Sequence, residues 1–399
     1  MNQGIAITGM GMISAIGNNV AENYASLIAG KSGISRITKI QTVHENEIMV
    51  GEVAATNEEL EKRLNLPHNT HSRTPLLGII AAKEALQQAG ITDISSYRTG
   101  LISGTTVGGM DKAEQYFYDY FERDTHWAHI NALHAGDSTQ KIAEAIGLEK
   151  SFVTTISTAC SSVANAIMLG ARMIKSGELD RVVVGGSDSL SKFTINGFKT
   201  LMILSDTYNS PFDENRKGLN LGEAAAFLVL ESDTIVAQEN RKVLAYVKGY
   251  GNANDAFHQT ASSENGDGAV LAMEKAFKVA GLAPSAIDYV NAHGTATPNN
   301  DLSEGRALQR VFGERVPDFS STKAFTGHTL AVAAGVEAIY SILALQHNVV
   351  YPNLNFKTPM KEFNLVPQTE LKKKEIKTVL SNSFGFGGNC STLIFSKEA

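Results

Sequence analysis

The residue best suited to chemistry in this sequence is Cys160, one of two cysteines among 399 residues. It stands in the motif Thr158-Ala159-Cys160-Ser161-Ser162, between a β-branched run at 153–156 and an apolar-periodic segment at 163–175. A strand that ends in a sharp turn would deliver the thiol to a helix N-terminus, where the helix dipole and free backbone N–H groups favour the thiolate. We therefore predict a reactive cysteine, with a small packing residue as the alternative.

Two histidines in the second half of the chain have similar surroundings. His293 follows a predicted strand and precedes Gly294, and His328 follows Gly327 just before a predicted helix. A histidine beside a glycine at the end of a buried strand is suited to a pocket, where its charge state can be tuned near neutral pH. We predict that both converge on the site of Cys160, although either alone could be a hydrogen-bonded core residue.

Lys323 lies in the segment that leads to His328, and its apolar and small neighbours predict a side chain that points inward. A buried lysine needs a partner of opposite charge. Glu337, alone in an apolar helix predicted near 330–344, is the acid best placed for that role. A zinc site would be the competing use of one cysteine and two histidines. These residues are remote in sequence and include no close ligand pair, so we expect no metal.

Composition narrows the class of protein. Hydrophobic residues make up 43% and charged residues 19%, which is typical of a globular protein, and the length predicts two domains or two fused halves. The net charge of −6 without a long basic run argues against nucleic-acid binding. Two cysteines far apart suggest reduced thiols in the cytoplasm. No basic segment precedes the first apolar run, so we expect no signal peptide, and we find no stretch that approaches a membrane span.

The elements that would position these residues alternate between strand and helix, which predicts an α/β layered fold. Strands are predicted at 5–9, 100–103, 153–156, 181–184, 228–230, 243–247, 287–291, 379–382 and 391–395, and helices at 76–89, 163–175, 268–281 and 330–346. The similar order of elements suggests an internal duplication, which we divide into 1–242 and 243–399. Gly9, Gly11 and Gly17 depart from the dinucleotide pattern G-x-G-x-x-G, so we expect no cofactor there.

Four motifs occur together and in order: Thr158–Ser162, Asn291–Thr297, Lys323–His328 and Asn382–Gly388. Together they closely resemble the β-ketoacyl-acyl carrier protein synthases, the condensing enzymes of types I and II, over essentially the whole chain. The resemblance implies a thiolase-like fold, in which two similar halves each hold a mixed five-stranded sheet in an αβαβα five-layer arrangement. It also implies a dimer.

By this resemblance, Cys160 accepts an acyl chain from a carrier protein as a thioester, which is covalent catalysis by a thiol. A malonyl carrier protein then loses CO2, and the resulting enolate attacks the acyl group. The backbone N–H groups of Cys160 and Phe386 would form an oxyanion hole. His293 and His328 would donate hydrogen bonds to the malonyl thioester oxygen.

The resemblance also implies supporting roles. Lys323, paired with Glu337, would orient His328. Two threonines would bind the phosphopantetheine arm of the carrier protein, Phe386 would gate the acyl pocket, and other phenylalanines would contact the substrate. These substrate-binding residues are Thr295, Thr297, Phe198 and Phe384. A basic landing area for the acidic carrier protein is expected at Lys62, Arg63 and Arg73.

Several positions depart from the family pattern. Val163 adds bulk beside the nucleophile where a glycine is usual, Ala224 replaces a common glycine, Asn389-Cys390 replaces Thr-Asn, and 330–332 lacks the usual glycine. These departures lead to a second hypothesis besides housekeeping fatty acid synthesis. The chain could be a specialised aryl-polyene or polyketide ketosynthase that works with a chain-length-factor partner. Two other hypotheses are a degradative thiolase that uses Cys390 as acid and base, and a non-catalytic scaffold. The retained nucleophile argues against the scaffold.

Overall fold

The computed structural model describes residues 5–122 and 126–399. The strands are β1 Ile5–Ser14, β2 Ile34–Arg36, β3 Met49–Gly51, β4 Thr99–Gly104, β5 Phe152–Ile156, β6 Arg181–Asp188, β7 Leu221–Gly222, β8 Ala224–Ser232, β9 Ala245–Asn254, β10 Tyr289–Asn291, β11 Asp318–Ser320, β12 Val349–Val350, β13 Lys372–Lys373, β14 Thr378–Gly385 and β15 Asn389–Ser396. The α-helices are α1 Val20–Ile28, α2 Asn57–Leu64, α3 Arg73–Gln88, α4 Met110–Gln115, α5 Asp119–Glu122, α6 Ala135–Ile146, α7 Ser162–Lys175, α8 Lys192–Thr200, α9 Asp233–Gln238, α10 Asp267–Ala280, α11 Pro298–Phe312, α12 Lys323–Thr326 and α13 Ala333–His347. Short 3-10 helices cover Ile94–Ser96, Trp127–Leu133, Pro284–Ala286, Leu330–Val332 and Phe386–Gly388.

Strands from both halves of the described chain form one mixed sheet, in the order β11-β10-β14-β15-β9-β1-β8-β6-β4-β5. Each half supplies five strands, and both halves arrange them in the same spatial order: third, second, fourth, fifth, first. The halves join where β1 and β9 pair antiparallel, at Ala6 with Tyr246 and at Ile7 with Ala245. The repeated topology agrees with an internal duplication. The boundary that we propose, after residue 242, falls between α9 and β9.

Helices cover this sheet in layers. α3 and α6 pack on the outer face of the first half, while α10 packs on the outer face of the second half with α11 beside it. α7 and α13 lie between the halves and contact strands of both. The result is the five-layer αβαβα arrangement, with the largest hydrophobic core around the two central helices.

Glycines near the N-terminus serve helix packing. A Cβ at Gly9 or at Gly11 would lie 2.1 Å from a carbonyl oxygen of α3. The second half repeats this device, since a Cβ at Gly249 or Gly251 would lie 2.5 or 2.1 Å from a carbonyl oxygen of α10. The predicted end of the first strand at residue 9 is therefore wrong: β1 continues through both glycines to Ser14, because their missing side chains let the helix approach the strand.

The apolar segment predicted as one helix at 330–346 is divided. Leu330–Val332 forms a 3-10 turn, and α13 begins at Ala333. By length and composition, Leu330–His347 could cross a membrane, which corrects the expectation that no stretch approaches that length. Most of this stretch is buried inside the protein, which is the environment of a core helix.

Candidate active site

Cys160 lies in a tight turn between β5 and α7. The Ser162 hydroxyl accepts a hydrogen bond from the Thr158 N–H (2.9 Å) and donates one to the Ala159 carbonyl (2.6 Å). The Ser161 hydroxyl donates to the Thr158 carbonyl (2.7 Å). Ala159 has a φ of 50°, in the left-handed region that residues other than glycine rarely adopt. The motif residues thus hold a strained turn at the thiol, and such strain is concentrated at functional sites.

The thiol itself is buried, with 6% of Cys160 exposed. Burial raises the pKa of Cys160 to about 12, while the Lys323 charge and the backbone N–H of Phe386 act in the opposite direction. Desolvation thus outweighs these two opposing effects, contrary to the thiolate expected from the sequence. At neutral pH, Cys160 is therefore a protonated thiol.

A cavity of about 300 Å³ brings the three predicted reactive residues together, since Cys160, His293 and His328 all line it. Both imidazoles are buried, and their ring centroids are 5.5 Å apart with an angle of 89° between the rings. Within residues 5–122 and 126–399, no group of three or more His, Cys, Asp or Glu side chains is arranged to hold a metal ion. The cavity therefore brings the Cys160 thiol together with two imidazole rings.

Hydrogen bonds select the same tautomer on both histidines. The Leu330 N–H donates to Nδ1 of His328 (3.1 Å), and the Lys323 ammonium donates to Nδ1 of His293 (3.2 Å). Burial, followed by the Lys323 charge, lowers the pKa of His328 to about 3 and the pKa of His293 well below its usual value. Each imidazole is therefore neutral and carries its proton on Nε2, where it can donate a hydrogen bond.

Lys323 forms a buried ion pair with Glu337, the partner expected from the sequence. Ser383 donates a further hydrogen bond to this carboxylate (3.3 Å). Burial raises the pKa of Glu337 to about 7, and the Lys323 charge opposes the shift. The sequence-based assignment of Lys323 to the orientation of His328 is corrected by the structure, because the ammonium contacts His293.

Glu304 on α11 is a site residue that the sequence reasoning missed. Its carboxylate accepts hydrogen bonds from the backbone N–H groups of His293 (2.9 Å) and Gly294 (2.8 Å) and from the Asn382 amide (3.2 Å). Burial raises the pKa of Glu304 to about 7 against these hydrogen bonds. Asp301 is buried three positions earlier. The sequence signal that could have indicated Glu304 is this pair of acids, three positions apart on one helix.

Two aromatic rings stack beside Cys160: the centroids of Phe198 and Phe386 are 5.9 Å apart. Both residues, together with Cys160, line the histidine cavity and also a second, apolar cavity of about 350 Å³. The rings and the thiol therefore form the boundary that the two cavities share. Phe384 lines the histidine cavity and packs against His293, with centroids 5.5 Å apart.

Uncharged polar groups also line the histidine cavity, beside apolar residues such as Ile203 and Leu219. Thr295 and Thr297 are among them, with their hydroxyl oxygens 2.9 Å apart. Ser262, Asn299 and Asn300 line the same cavity. Hydroxyl and amide groups of this kind can hydrogen-bond a neutral ligand that carries amides.

Comparison with known proteins identifies the family. The sequence model described as "Beta-ketoacyl synthase, N-terminal domain" matches residues 2–234, and the one described as "Beta-ketoacyl synthase, C-terminal domain" matches residues 244–357. This chain belongs to the β-ketoacyl synthase family. The resemblance drawn from the four motifs is confirmed.

Individual relatives of this β-ketoacyl synthase agree. The 3-oxoacyl-[acyl-carrier-protein] synthase 2 of Staphylococcus aureus (strain N315) is 33% identical over 412 residues, which cover 99% of each chain. The solved ishigamide ketosynthase/chain length factor has a TM-score of 0.93 and 30% identity over 100% of both chains. A ketosynthase from Xenorhabdus doucetiae, solved in complex with its chain length factor, has a TM-score of 0.85 and 31% identity over 99% of this chain and 98% of that one. The predicted thiolase-like fold is confirmed, and the chain is an enzyme of the acyltransferase class.

The residues predicted to dock a carrier protein have different positions in this synthase. Lys62 and Arg63 are exposed on α2. Arg73 is buried, pairs with Glu223 (2.7 Å) and donates to the Val53 carbonyl (3.1 Å). A buried and paired guanidinium cannot contact a carrier protein, so Arg73 is removed from the docking set and holds elements of the first half together.

Val163, the first departure from the family pattern, is accommodated by glycines. A Cβ at Gly104, Gly186 or Gly335 would come within 3.0 Å of the Val163 side chain. Val163 is absent from the described residues that line the two cavities. The extra bulk is therefore taken up in the packing around α7, outside both cavities.

The departures at 389 and 390 have separate consequences. Asn389 accepts hydrogen bonds from the Ser161 hydroxyl (2.7 Å) and from the Asn165 (3.0 Å) and Asn252 (2.9 Å) amides, so it ties β15 to the first turn of α7 and to β9. Cys390 lines the histidine cavity, and burial raises the pKa of its thiol to about 12. Ala224, a further departure, is buried in β8.

Proposed function

We propose that this protein is a β-ketoacyl-acyl carrier protein synthase, which condenses a malonyl carrier protein with an acyl group held on Cys160. The observation that carries the proposal is a cavity that brings the buried Cys160 thiol together with two neutral imidazoles that have Nε2–H donors. A thiol can store an acyl group as a thioester, and two fixed donors can stabilise an oxygen that becomes negative.

In the first half-reaction, Cys160 Sγ attacks the thioester carbonyl of an acyl carrier protein. The backbone N–H groups of Cys160 and Phe386 stabilise the carbonyl oxygen as it becomes negative. When the intermediate collapses, the bond from carbon to the pantetheine sulfur breaks, and that sulfur leaves with the proton that the cysteine has lost. The apolar second cavity accommodates the acyl chain, and Phe386 gates it beside Phe198.

In the second half-reaction, the malonyl carboxylate leaves as CO2, and the electrons of the broken carbon–carbon bond form an enolate. The Nε2–H groups of His293 and His328 donate to the thioester oxygen as it becomes negative. Because both imidazoles are neutral, they stabilise the enolate without protonating its carbon. That carbon attacks the acyl carbonyl, and Cys160 leaves as a thiolate and regains a proton.

The carrier protein is the proposed partner for both half-reactions. Thr295 and Thr297 line the histidine cavity and are suited to the amides of its phosphopantetheine arm. Lys62 and Arg63 are exposed on α2 and provide positive charge for an acidic carrier protein. The S. aureus relative, whose name contains the acyl carrier protein, supports this assignment.

A specialised ketosynthase that works with a chain-length-factor partner is the second candidate. Both solved structures described above, at 30% and 31% identity, contain a chain length factor. Phe193 and Leu201 are exposed where they line the second cavity, so a second subunit could cover the far end of the acyl chain. We propose a dimer, either of two copies or with such a paralogue. A cytoplasmic location fits the two free cysteines.

The direct test supplies the purified chain with octanoyl and malonyl thioesters of a bacterial acyl carrier protein. Intact mass should show one octanoyl group on Cys160, and a β-ketoacyl product and CO2 should form. Cys160→Ala should abolish condensation and retain CO2 release. The matched control Cys390→Ser should retain both, whereas loss of condensation would favour the thiolase hypothesis. Neither acylation nor CO2 release by the wild type, alone or with a co-expressed chain-length partner, would refute the proposal.

A further inference from the structure

Asp188, at the end of β6, is a buried carboxylate that the proposed mechanism does not use. Its oxygens accept hydrogen bonds from Thr105 Oγ1 (2.5 Å), the Thr106 N–H (3.0 Å), Thr106 Oγ1 (2.6 Å), the Val107 N–H (3.2 Å) and the Ala331 N–H (3.0 Å). Four of these contacts reach the turn at 105–107, and the fifth reaches the turn that follows the second catalytic histidine. One carboxylate therefore joins two separate parts of the site.

The turn at Ala331 determines the hydrogen bonding of His328. Leu330 donates its N–H to Nδ1 of His328 (3.1 Å), and it does so with a φ of 54°. A leucine in the left-handed region is held against its backbone preference, so the surrounding contacts must stabilise it. The hydrogen bond from the next N–H in the chain to Asp188 is such a contact. Leu330 also lines the second cavity together with residues of the 105–107 turn.

We infer that Asp188 is a positioning residue for decarboxylation, which holds the Leu330–Ala331 turn so that His328 keeps its proton on Nε2. This inference rests on the proposed function. In the described residues, side-chain hydrogen bonds from the motif serines and Asn165 and to Asn389 hold the Cys160 turn, and none of these involves Asp188. The Asp188 charge adds to the raised pKa of the thiol, so removal of that charge should not slow the transfer of an acyl group to Cys160.

Asp188→Asn weakens this anchor in either orientation of the amide. If the amide nitrogen replaced the oxygen that faces the 105–107 turn, it would meet the N–H groups of Thr106 and Val107, which are donors. If it replaced the other oxygen, it would meet the N–H groups of Ala331 and, at 3.2 Å, Thr106. The asparagine variant therefore places an NH2 group against two backbone donors in both cases, and the carboxylate no longer holds both turns together.

The test measures both half-reactions on Asp188→Asn and on a matched control, Asp213→Asn. Asp213 is also a buried carboxylate that accepts backbone N–H groups, from Lys357 (2.6 Å) and Thr358 (2.7 Å), and it lines neither cavity among the described residues. CO2 release from malonyl carrier protein is divided by the fraction of Cys160 that octanoyl carrier protein can acylate, which corrects for unfolded protein. The expected result is a fall of about tenfold in CO2 release for Asp188→Asn, with acylation rates within about twofold of wild type.

Several outcomes of this experiment would overturn the inference. Equal losses in both half-reactions, or no change in CO2 release, would overturn the positioning role, as would the same split in Asp213→Asn. If the asparagine variant does not fold, Asp188→Glu keeps the charge, displaces the carboxylate by one methylene and should give the same split. An inactive wild type would refute the proposed function itself, whereas an active wild type with an unsplit variant would refute this inference alone.

Discussion

The buried thiol makes a quantitative prediction about alkylation. The pKa of Cys160 is raised by burial from 9.0 to about 12, so at pH 8 the thiolate fraction is about a thousandfold lower than for an ordinary cysteine. Thiolates of higher pKa are intrinsically more nucleophilic, and a pKa difference of three recovers about twentyfold of the rate. We therefore expect iodoacetamide to alkylate Cys160 about fiftyfold more slowly than an unfolded cysteine at pH 8.

The pH dependence of the alkylation rate distinguishes a desolvated thiol from one that the reagent simply cannot reach easily. Because the thiolate is the reactive form and its pKa is raised, the alkylation rate should increase by about tenfold for each pH unit between 7 and 10 without levelling off. Restricted access alone would slow the reaction but leave a plateau above pH 9. The rates are followed by intact mass, with the same protein unfolded in urea as the reference.

Because iodoacetamide can also alkylate Cys390, the rate for Cys160 must be measured in a variant that lacks this second thiol. Cys390 lines the same cavity, and burial raises its pKa to about 12 as well, so the measurement uses Cys390→Ser. Cys160→Ala in that background reports any labelling outside the two cysteines. A plateau above pH 9 in the folded Cys390→Ser protein would show that the thiol is not desolvated, and our account of the resting site would then be wrong.

Three further predictions concern neighbouring residues. His293→Ala and His328→Ala should each slow CO2 release from malonyl carrier protein by about 10²- to 10³-fold, since each removes one donor to the developing oxyanion, and unchanged release by both would exclude them from the mechanism. Lys323→Met should lower the free energy of unfolding in urea by about 3–5 kcal/mol, because it leaves a buried carboxylate unpaired, and an unchanged midpoint would argue against the ion pair. Gly11→Ala should destabilise by at least about 3 kcal/mol, because its Cβ would meet a carbonyl oxygen at 2.1 Å, whereas Gly197→Ala, with no atom within 4 Å, should be neutral or stabilising.

The reactive residues could be predicted because their setting is local. A thiol between a strand and a helix, and histidines beside glycines, can be identified from a few adjacent residues. The pairing of Lys323 with Glu337 also followed from a local rule, since a buried lysine requires an acid. The histidine that Lys323 contacts depends on how β10 and α12 approach each other in space, and no sequence pattern encodes that distance.

Other errors arose where one residue type serves two purposes. Gly9 and Gly11 have the composition of a turn, yet they extend a strand because a helix carbonyl occupies the space of their side chains. Arg73 has the charge of a docking residue, but its position at the start of α3 places it against Glu223 in the interior. In both cases the deciding neighbour comes from a distant part of the chain, so only the assembled fold reveals it.

Desolvation of the buried side chains sets the protonation of Cys160, His293 and His328. It raises the pKa of Cys160 and lowers the pKa values of His293 and His328. The protonated thiol is slower to attack, but an imidazolium beside the enolate could protonate its carbon, and the reaction would then end as simple decarboxylation. A more open cavity would release the thiolate and would also charge the histidines near neutral pH. The burial that slows acylation is therefore the condition under which the carbanion survives long enough to form a carbon–carbon bond.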